Sequence, residues 1–151
     1  MTEEQQAERV LAGTRYLVLS TADADGNPWA TPVWYARDGQ RFFWVSRPSA
    51  RHSANLEVRT EAALVVFDSQ VPVGGASAYY AKAAAGQVAP DDLAEGIAIF
   101  NAESEAQGIG TWGLDRVTGG SEFRLYCATV TESWVLAEDG GPDRRLPLAT
   151  P

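Results

Sequence analysis

The chain has 151 residues, 45% of them apolar, and its 12 Lys and Arg residues face 20 Asp and Glu residues, for a formal net charge of −8. This length and composition are typical of one folded globular domain, residues 1–151, and exclude a disordered chain. The acidic balance argues against binding to nucleic acid or to an anionic membrane surface. One cysteine, Cys127, excludes an internal disulfide, and one cysteine with one histidine leaves too few ligands for zinc.

The start of the chain, MTEEQQAERV, has neither the basic segment nor the apolar segment of a signal peptide. No apolar run is long enough to span a membrane, so we expect a cytoplasmic protein. The same segment predicts a helix over 3–12, because Thr2 and Gln5 have the spacing of a capping box and Gly13 can end the helix.

Runs of apolar and β-branched residues separated by tight turns predict six strands. We expect the third strand to pair antiparallel with the second, the fourth to be buried on both faces, and the last to bend near Thr131. The predicted strands are 15–21, 29–35, 42–46, 62–68, 77–88 and 122–136, and the other predicted helices are 49–59 and 90–107. Such spacing indicates a closed or split antiparallel barrel, not a doubly wound sheet.

Two literal matches to ligand-binding motifs lack their structural context. The run from Asp23 to Asn27 begins like a calcium loop, but no bidentate Glu ends it, so we interpret it as a hairpin turn. The run from Gly108 to Gly113 fits the dinucleotide pattern G-x-G-x-x-G, yet a helix precedes it where a strand is required. Neither motif therefore predicts a site.

The stretch from Pro28 to Asp68 holds a group of residues suited to binding an anion. Its five arginines are Arg37, Arg41, Arg47, Arg51 and Arg59. At the predicted start of the second helix, Ser49 can act as the cap, and Arg51 and His52 lie in the first turn, where free N–H groups and the helix dipole favour phosphate. These residues alone leave a second interpretation open, a set of solvated surface arginines with a lone imidazole.

The chain resembles the pyridoxamine 5′-phosphate oxidase-like split barrels that bind FMN. The resemblance rests on RYLVLSTADADGNPWATPVWY, FFWVSRPSARHSANLEVRTEAALVVFD and FRLYCATVTESWVL, taken in this order. It implies a mainly β fold with short helices, a six-stranded antiparallel split β-barrel. It also implies a homodimer with FMN in a groove at the dimer interface, where the protein acts as a flavin-dependent oxidoreductase on a small or planar organic molecule.

The resemblance also implies which residues hold the cofactor. The strand segment from Ala30 to Trp34 would lie along the isoalloxazine edge, and the basic loop would hold the phosphate. The implied cofactor-binding residues are Thr31, Pro32, Val33, Trp34, Ser46, Arg47, Arg51 and His52. No catalytic side chain is implied, because the flavin carries the redox chemistry.

Departures from the family pattern argue against pyridoxamine phosphate as the substrate. The oxidase has an Arg where Thr31 stands, and an Arg-Leu-His-Asp-Arg run near its end where this chain continues Arg145 and Leu146 with Pro147 and Leu148. His52 stands in place of the more usual Lys, so phosphate binding would depend partly on its protonation.

Two rival functions remain open from the sequence. One is a deazaflavin (F420)-dependent reductase on the same barrel, whose acidic cofactor tail would need more basic groups than this cluster supplies. The other is a flavin- or haem-binding protein without turnover, with His52 as a possible axial ligand. Trp29, Trp34 and Trp44 are interpreted as core and dimer-interface packing, and stacking of some of them on a planar cofactor is the alternative. Either Trp112 or Trp134 could cover the flavin from the partner chain.

Overall fold

The computed structural model describes residues 1–150, and within them all three predicted helices and all six predicted strands are present. Two additional strands of three residues each raise the number of strands in these residues to eight. The helices are α1 (Glu3–Ala12), α2 (Arg51–Val58) and α3 (Leu93–Ala106). The strands are β1 (Tyr16–Ala22), β2 (Pro28–Trp34), β3 (Ala36–Asp38), β4 (Arg41–Ser46), β5 (Glu61–Phe67), β6 (Ala78–Gln87), β7 (Arg124–Leu136) and β8 (Arg145–Pro147).

The strands form one antiparallel sheet in the order β2-β1-β5-β6-β7-β4-β3, and β8 pairs with β7. The sheet curls around an apolar interior that includes Leu19, Phe42 and Val66, each fully buried. The predicted antiparallel split barrel is therefore confirmed. No helix in the described part of the chain is both long and apolar enough to cross a membrane.

Helix α1 begins as the sequence predicts. The Thr2 hydroxyl accepts from the Gln5 backbone N–H at 3.1 Å, and the Gln5 side chain accepts from the Thr2 N–H at 2.8 Å. These reciprocal bonds satisfy two amide groups that have no partner inside the helix. Val10 and Leu11, near its end, pack into the barrel interior.

The predicted pairing of strands 29–35 and 42–46, which correspond to β2 and β4, is wrong. β4 pairs with β3 on one side and with β7 on the other, while β2 pairs with β1. The chain leaves β2 at Tyr35, whose buried hydroxyl lies 2.8 Å from the Leu11 carbonyl oxygen and 3.1 Å from that of Thr14. Because this anchor ends β2, the short β3 becomes the hairpin partner of β4.

A β-bulge interrupts the pairing of β6 with β7 where the sequence predicts a bend. Lys82 pairs with Glu132, whereas the next β6 residue, Ala83, pairs with Val130, so Thr131 is left between them. The Thr131 hydroxyl donates to the Lys82 carbonyl oxygen at 3.1 Å. A bulge of this kind bends a long strand and helps a sheet to curl.

One half of the outer surface of the sheet is covered by α3, and we call it the covered face. Its buried residues come from β3, β4, β7, α3 and the segment after α3: Ala36, Phe43, Ile97, Phe100, Val117 and Leu125. Gly96 allows α3 to approach closely, because a Cβ there would lie 2.9 Å from Leu125 Cδ2 and 3.2 Å from Phe43 Cε1.

The other half, formed by the outward residues of β1, β2, β5, β6 and the end of β7, is the bare face. Neighbouring side chains form a row across it, in the order Pro32, Val18, Val65, Tyr80 and Trp134. No helix of residues 1–150 covers this row, since α1 and α2 pack against the interior and α3 against the covered face. The predicted burial of β5 on both faces is therefore wrong; its residues alternate between buried and exposed or half-buried.

Candidate cofactor-binding site

The turn between β4 and α2 presents the first amide groups of α2 without a side-chain cap. The residue at the N-cap is Ala50, in extended conformation, and no side chain of the described residues caps the first turn. The predicted capping role of Ser49 is therefore wrong, because the helix begins one residue later than that role requires. Uncapped N–H groups at the positive end of a helix dipole are suited to an anion.

Ser46 and His52 meet across this turn. Ser46 ends β4, His52 lies in the first turn of α2, and the Ser46 Oγ is 2.9 Å from the His52 Nε2. Burial lowers the pKa of His52 below its usual value of 6.5, so the imidazole is neutral near pH 7. Neutral imidazole still has one N–H to donate, and the Ser46 hydroxyl can turn to match either tautomer.

Arg51 is the least neutralised cation of the predicted phosphate residues. No carboxylate within residues 1–150 forms a salt bridge with it; its guanidinium carbon lies 4.5 Å from the centre of the Trp29 ring. Arg47 differs, because its Nη2 lies 3.4 Å from Glu122 Oε2 and its guanidinium lies over the Phe123 ring at 4.9 Å.

The other three arginines of the basic stretch serve the fold. Arg37 pairs with Glu8 of α1, and Arg41 with Asp38 and Glu95. Arg59 donates to the Ala24 carbonyl oxygen at 3.4 Å. Each of these contacts joins segments distant in sequence or lies within a hairpin, so these three arginines are engaged within the fold. The number of arginines in the stretch therefore overstates the positive charge available to a ligand.

β2 lies at one edge of the sheet, so one row of its backbone groups has no strand partner in the described chain. α2 packs against β1 and β2, and the Asn55 amide donates to the buried Thr21 hydroxyl at 3.0 Å. The fold thus brings the predicted ring-binding strand beside the predicted phosphate-binding turn.

The four predicted ring-binding residues of β2 differ in where their side chains lie. Pro32 is exposed on the bare face, Thr31 is half-buried, and Val33 points into the interior. The Trp34 indole is held by α3: its Nε1 donates to Gln107 Oε1 at 2.9 Å, and it packs edge-to-face on Phe100 at 5.1 Å. Of these four residues, Pro32 and Thr31, together with the backbone groups, therefore remain the freest contacts.

The two tryptophans considered as covers for the flavin occupy different surroundings. Trp112 packs edge-to-face against Phe100 and Phe123, and Arg116 lies over its ring at 3.6 Å. Asn101 binds the Trp112 backbone twice, at 2.7 and 2.8 Å. Trp134 is half-buried on the bare face, beside Tyr80.

Sequence reasoning missed the role of Trp29 as the ring beside Arg51. It also missed Glu122, 75 residues away in sequence, and its neighbour Phe123, which both contact Arg47. Nothing local indicates either contact, since both depend on how the sheet brings its strands together.

Comparisons with known proteins support the fold. The family model of pyridoxamine 5′-phosphate oxidase matches residues 2–111. A haem-binding protein from Mycobacterium smegmatis superposes with a TM-score of 0.74 at 19% identity, over 98% of this chain and 58% of that one. The haem storage protein HutZ from Vibrio cholerae gives 0.66 at 19% identity, over 87% of this chain and 92% of that one. An F420 reductase gives 0.61 at 17% identity, over 87% and 96%.

The chain thus spans just over half the length of the first of these proteins and nearly all of the other two. All three identities are below 20%, so these superpositions establish a shared fold. No curated protein matches the chain.

Proposed function

Because this chain belongs to the pyridoxamine 5′-phosphate oxidase family, we propose that it is an FMN-binding oxidoreductase that works as a homodimer. The bound flavin would supply the hydride or electron chemistry, and the protein would bind and orient it. We name no catalytic side chain, and we propose the cytoplasm as its compartment.

The observation that carries this proposal is the uncapped start of α2 beside the Arg51 guanidinium, which pairs with no carboxylate of residues 1–150. A phosphate group there would accept from the first-turn N–H groups and from Arg51, and the Ser46–His52 pair leaves one further proton to donate. In a chain of net charge −8, a free arginine next to free amide groups is suited to one compact anion. It does not resemble the broad basic surface that a nucleic acid requires.

We propose that the edge of β2 binds the flavin ring, with Thr31 and the backbone of Pro32 and Val33 as contacts. The bare face next to this edge is apolar, and Tyr16 and Phe67 on it are 56% and 46% exposed. Apolar side chains in a continuous patch favour association, so we propose that a second copy covers this face and completes the cofactor groove.

We propose a small organic substrate other than pyridoxamine phosphate. Thr31, Pro147 and Leu148 supply none of the charged groups that the oxidase pattern has at those positions. Arg145 is present, but its guanidinium lies over the Tyr80 ring at 3.9 Å on the bare face.

Two solved structures that share the fold bind other cofactors by name, haem and F420, and both remain second candidates. His52 is the single histidine of the chain and would be the axial ligand for haem. Its Nε2 already contacts Ser46, which favours a role in holding phosphate. For F420, Arg47 is the next arginine along the loop, and Glu122 offsets part of its charge.

The absorbance spectrum of the purified protein, with the released cofactor identified by mass, tests this proposal. We expect two flavin bands and the mass of FMN, with occupancy lost in Arg51→Ala. The matched control is Arg9→Ala. It removes an exposed arginine of α1 that pairs with Glu138, and it should leave occupancy unchanged. A Soret band, a single deazaflavin band, or no uptake of added FMN would each contradict the proposal.

A further inference from the structure

We propose that Trp29 positions the Arg51 guanidinium, and thereby sets how strongly the protein prefers a phosphorylated flavin to an unphosphorylated one. The inference rests on the proposed function, because it concerns the same phosphate site. Trp29 acts here through Arg51 and is a positioning residue.

The ring and the guanidinium belong to two elements that a buried polar link holds together. Trp29 lies near the start of β2, where its partner on β1 is Thr21. The Thr21 hydroxyl lies 3.5 Å from the Trp29 carbonyl oxygen and accepts from Asn55 of α2 at 3.0 Å. The Trp29 backbone is therefore tied to α2, and Arg51, the first residue of that helix, lies over the Trp29 ring at 4.5 Å.

Arg51 needs such a restraint, because Asp23, the carboxylate on which its charge acts, forms its hydrogen bonds within its own turn. Asp23 accepts from the backbone N–H groups of Asp25 and Asn27 at 3.0 and 2.9 Å, and from the Asn27 side chain at 3.0 Å. The hydrogen bond from the Asn27 side chain is the main cause that lowers the pKa of Asp23, and the charge of Arg51 adds a smaller effect. Asp23 is thus engaged within its own turn.

An aromatic ring restrains a guanidinium in a way that a carboxylate cannot. The ring attracts the cation through its face and leaves the N–H edge free, whereas a carboxylate occupies that edge and cancels the charge. A phosphate arriving at Arg51 therefore has no bound anion to displace. The restrained side chain also loses less conformational freedom on binding.

The test compares the affinities of FMN and riboflavin, which differ only in the phosphate, for the full-length protein. Titrations followed by flavin fluorescence would include wild type, Trp29→Leu, Trp29→Phe, Arg51→Ala and the double variant. We expect Trp29→Leu to weaken FMN by about two- to fivefold and to leave riboflavin unchanged. Trp29→Phe, which keeps a ring, should recover part of the loss, and Trp29→Leu should add nothing in the Arg51→Ala background.

Three results would overturn the inference alone: equal weakening of both flavins by Trp29→Leu, which would place the ring against the flavin itself; no weakening of either; or an undiminished effect in the Arg51→Ala background. If wild type binds FMN no more tightly than riboflavin, the proposed phosphate site is wrong, and the inference fails with it.

Discussion

The covered and bare faces lie on the same sheet, yet the chain treats them in opposite ways. On the covered face, α3 buries Ile97 and Phe100 against β3, β4 and β7, with Gly96 at the closest approach. On the bare face, an apolar row of comparable character has no helix from the described chain over it. The difference teaches that the outward side chains of one sheet can serve either the stability of the chain or its association.

The largest expected effect is on the covered face. Phe100→Ala should lower the free energy of unfolding by about 3–5 kcal/mol, because it removes a buried ring that packs against Trp34 and Trp112. The same truncation of Phe67 on the bare face should cost about 1 kcal/mol or less in dilute protein. Urea unfolding measures both variants. Equal losses at the two positions would contradict the division into covered and bare faces.

The bare face is tested by placing a charge in it. Val65→Asp should convert a dimer into a monomer and weaken FMN by about tenfold or more, since a carboxylate would be buried without a partner at the interface. Sedimentation equilibrium gives the oligomeric state. Ala102→Asp, on the exposed side of α3, is the matched control and should change neither property. A Val65→Asp protein that remains a dimer would place the interface elsewhere.

The third prediction concerns pH. Because burial lowers the pKa of His52, its contribution to the stability of the cofactor-free protein is present above the unfolded pKa of about 6.5. That contribution is lost as the pH falls through the lower folded value. Bound phosphate favours the imidazolium, so FMN affinity should change in the other direction and rise as the pH falls, by at most about tenfold per pH unit.

Thermal unfolding and FMN titration from pH 8 to about pH 5, a range that extends from above to below the unfolded pKa of about 6.5, measure these two opposite trends. His52→Gln, which cannot take up the proton, should remove both and leave only the titration of the phosphate itself. If the pH dependence of FMN affinity is the same in His52→Gln and wild type, His52 does not belong to the phosphate site.

The smallest expected effect concerns the contact between Trp34 of β2 and Gln107 at the end of α3. Gln107→Ala removes the acceptor that holds the Trp34 indole from the end of α3, and should cost about 0.5–1.5 kcal/mol of stability. FMN affinity should fall by less than about threefold, because the indole is still packed on Phe100. Gln107→Glu retains the acceptor for Trp34 but replaces the amide that donates to Glu103 at 2.6 Å with a carboxylate, so it should lose stability while FMN affinity stays as in wild type. Loss of flavin binding in Gln107→Ala would show that Trp34 itself contacts the ring.

Local features of the fold could be predicted from the sequence. The capping box of Thr2 and Gln5 and the turn from Asp23 to Asn27 depend on residues within a few positions of one another, and both are present. The pairing of the strands was harder to predict from the sequence. The exit of β2 at Tyr35 depends on carbonyl oxygens of Leu11 and Thr14, more than 20 residues earlier.

The candidate site shows the same limit. The basic turn could be located from residue types alone, but which arginines were free could not. Arg37 and Arg41 pair with Glu8 and Glu95, 29 and 54 positions away, and Arg51 has an aromatic neighbour instead. Ser49 has a common capping residue type, and only the backbone shows that the cap is one residue later.

The bulge at Thr131 changes which residues of β7 face the interior, from even-numbered to odd-numbered positions. Before it, the even-numbered residues Tyr126 and Ala128 point into the barrel; after it, the odd-numbered Val135 does. If Thr131 were instead drawn into regular pairing, the alternation would turn Trp134 inward and Val135 outward. One inserted residue thus lets a single strand present Leu125 to α3 at one end and an aromatic ring to the bare face at the other.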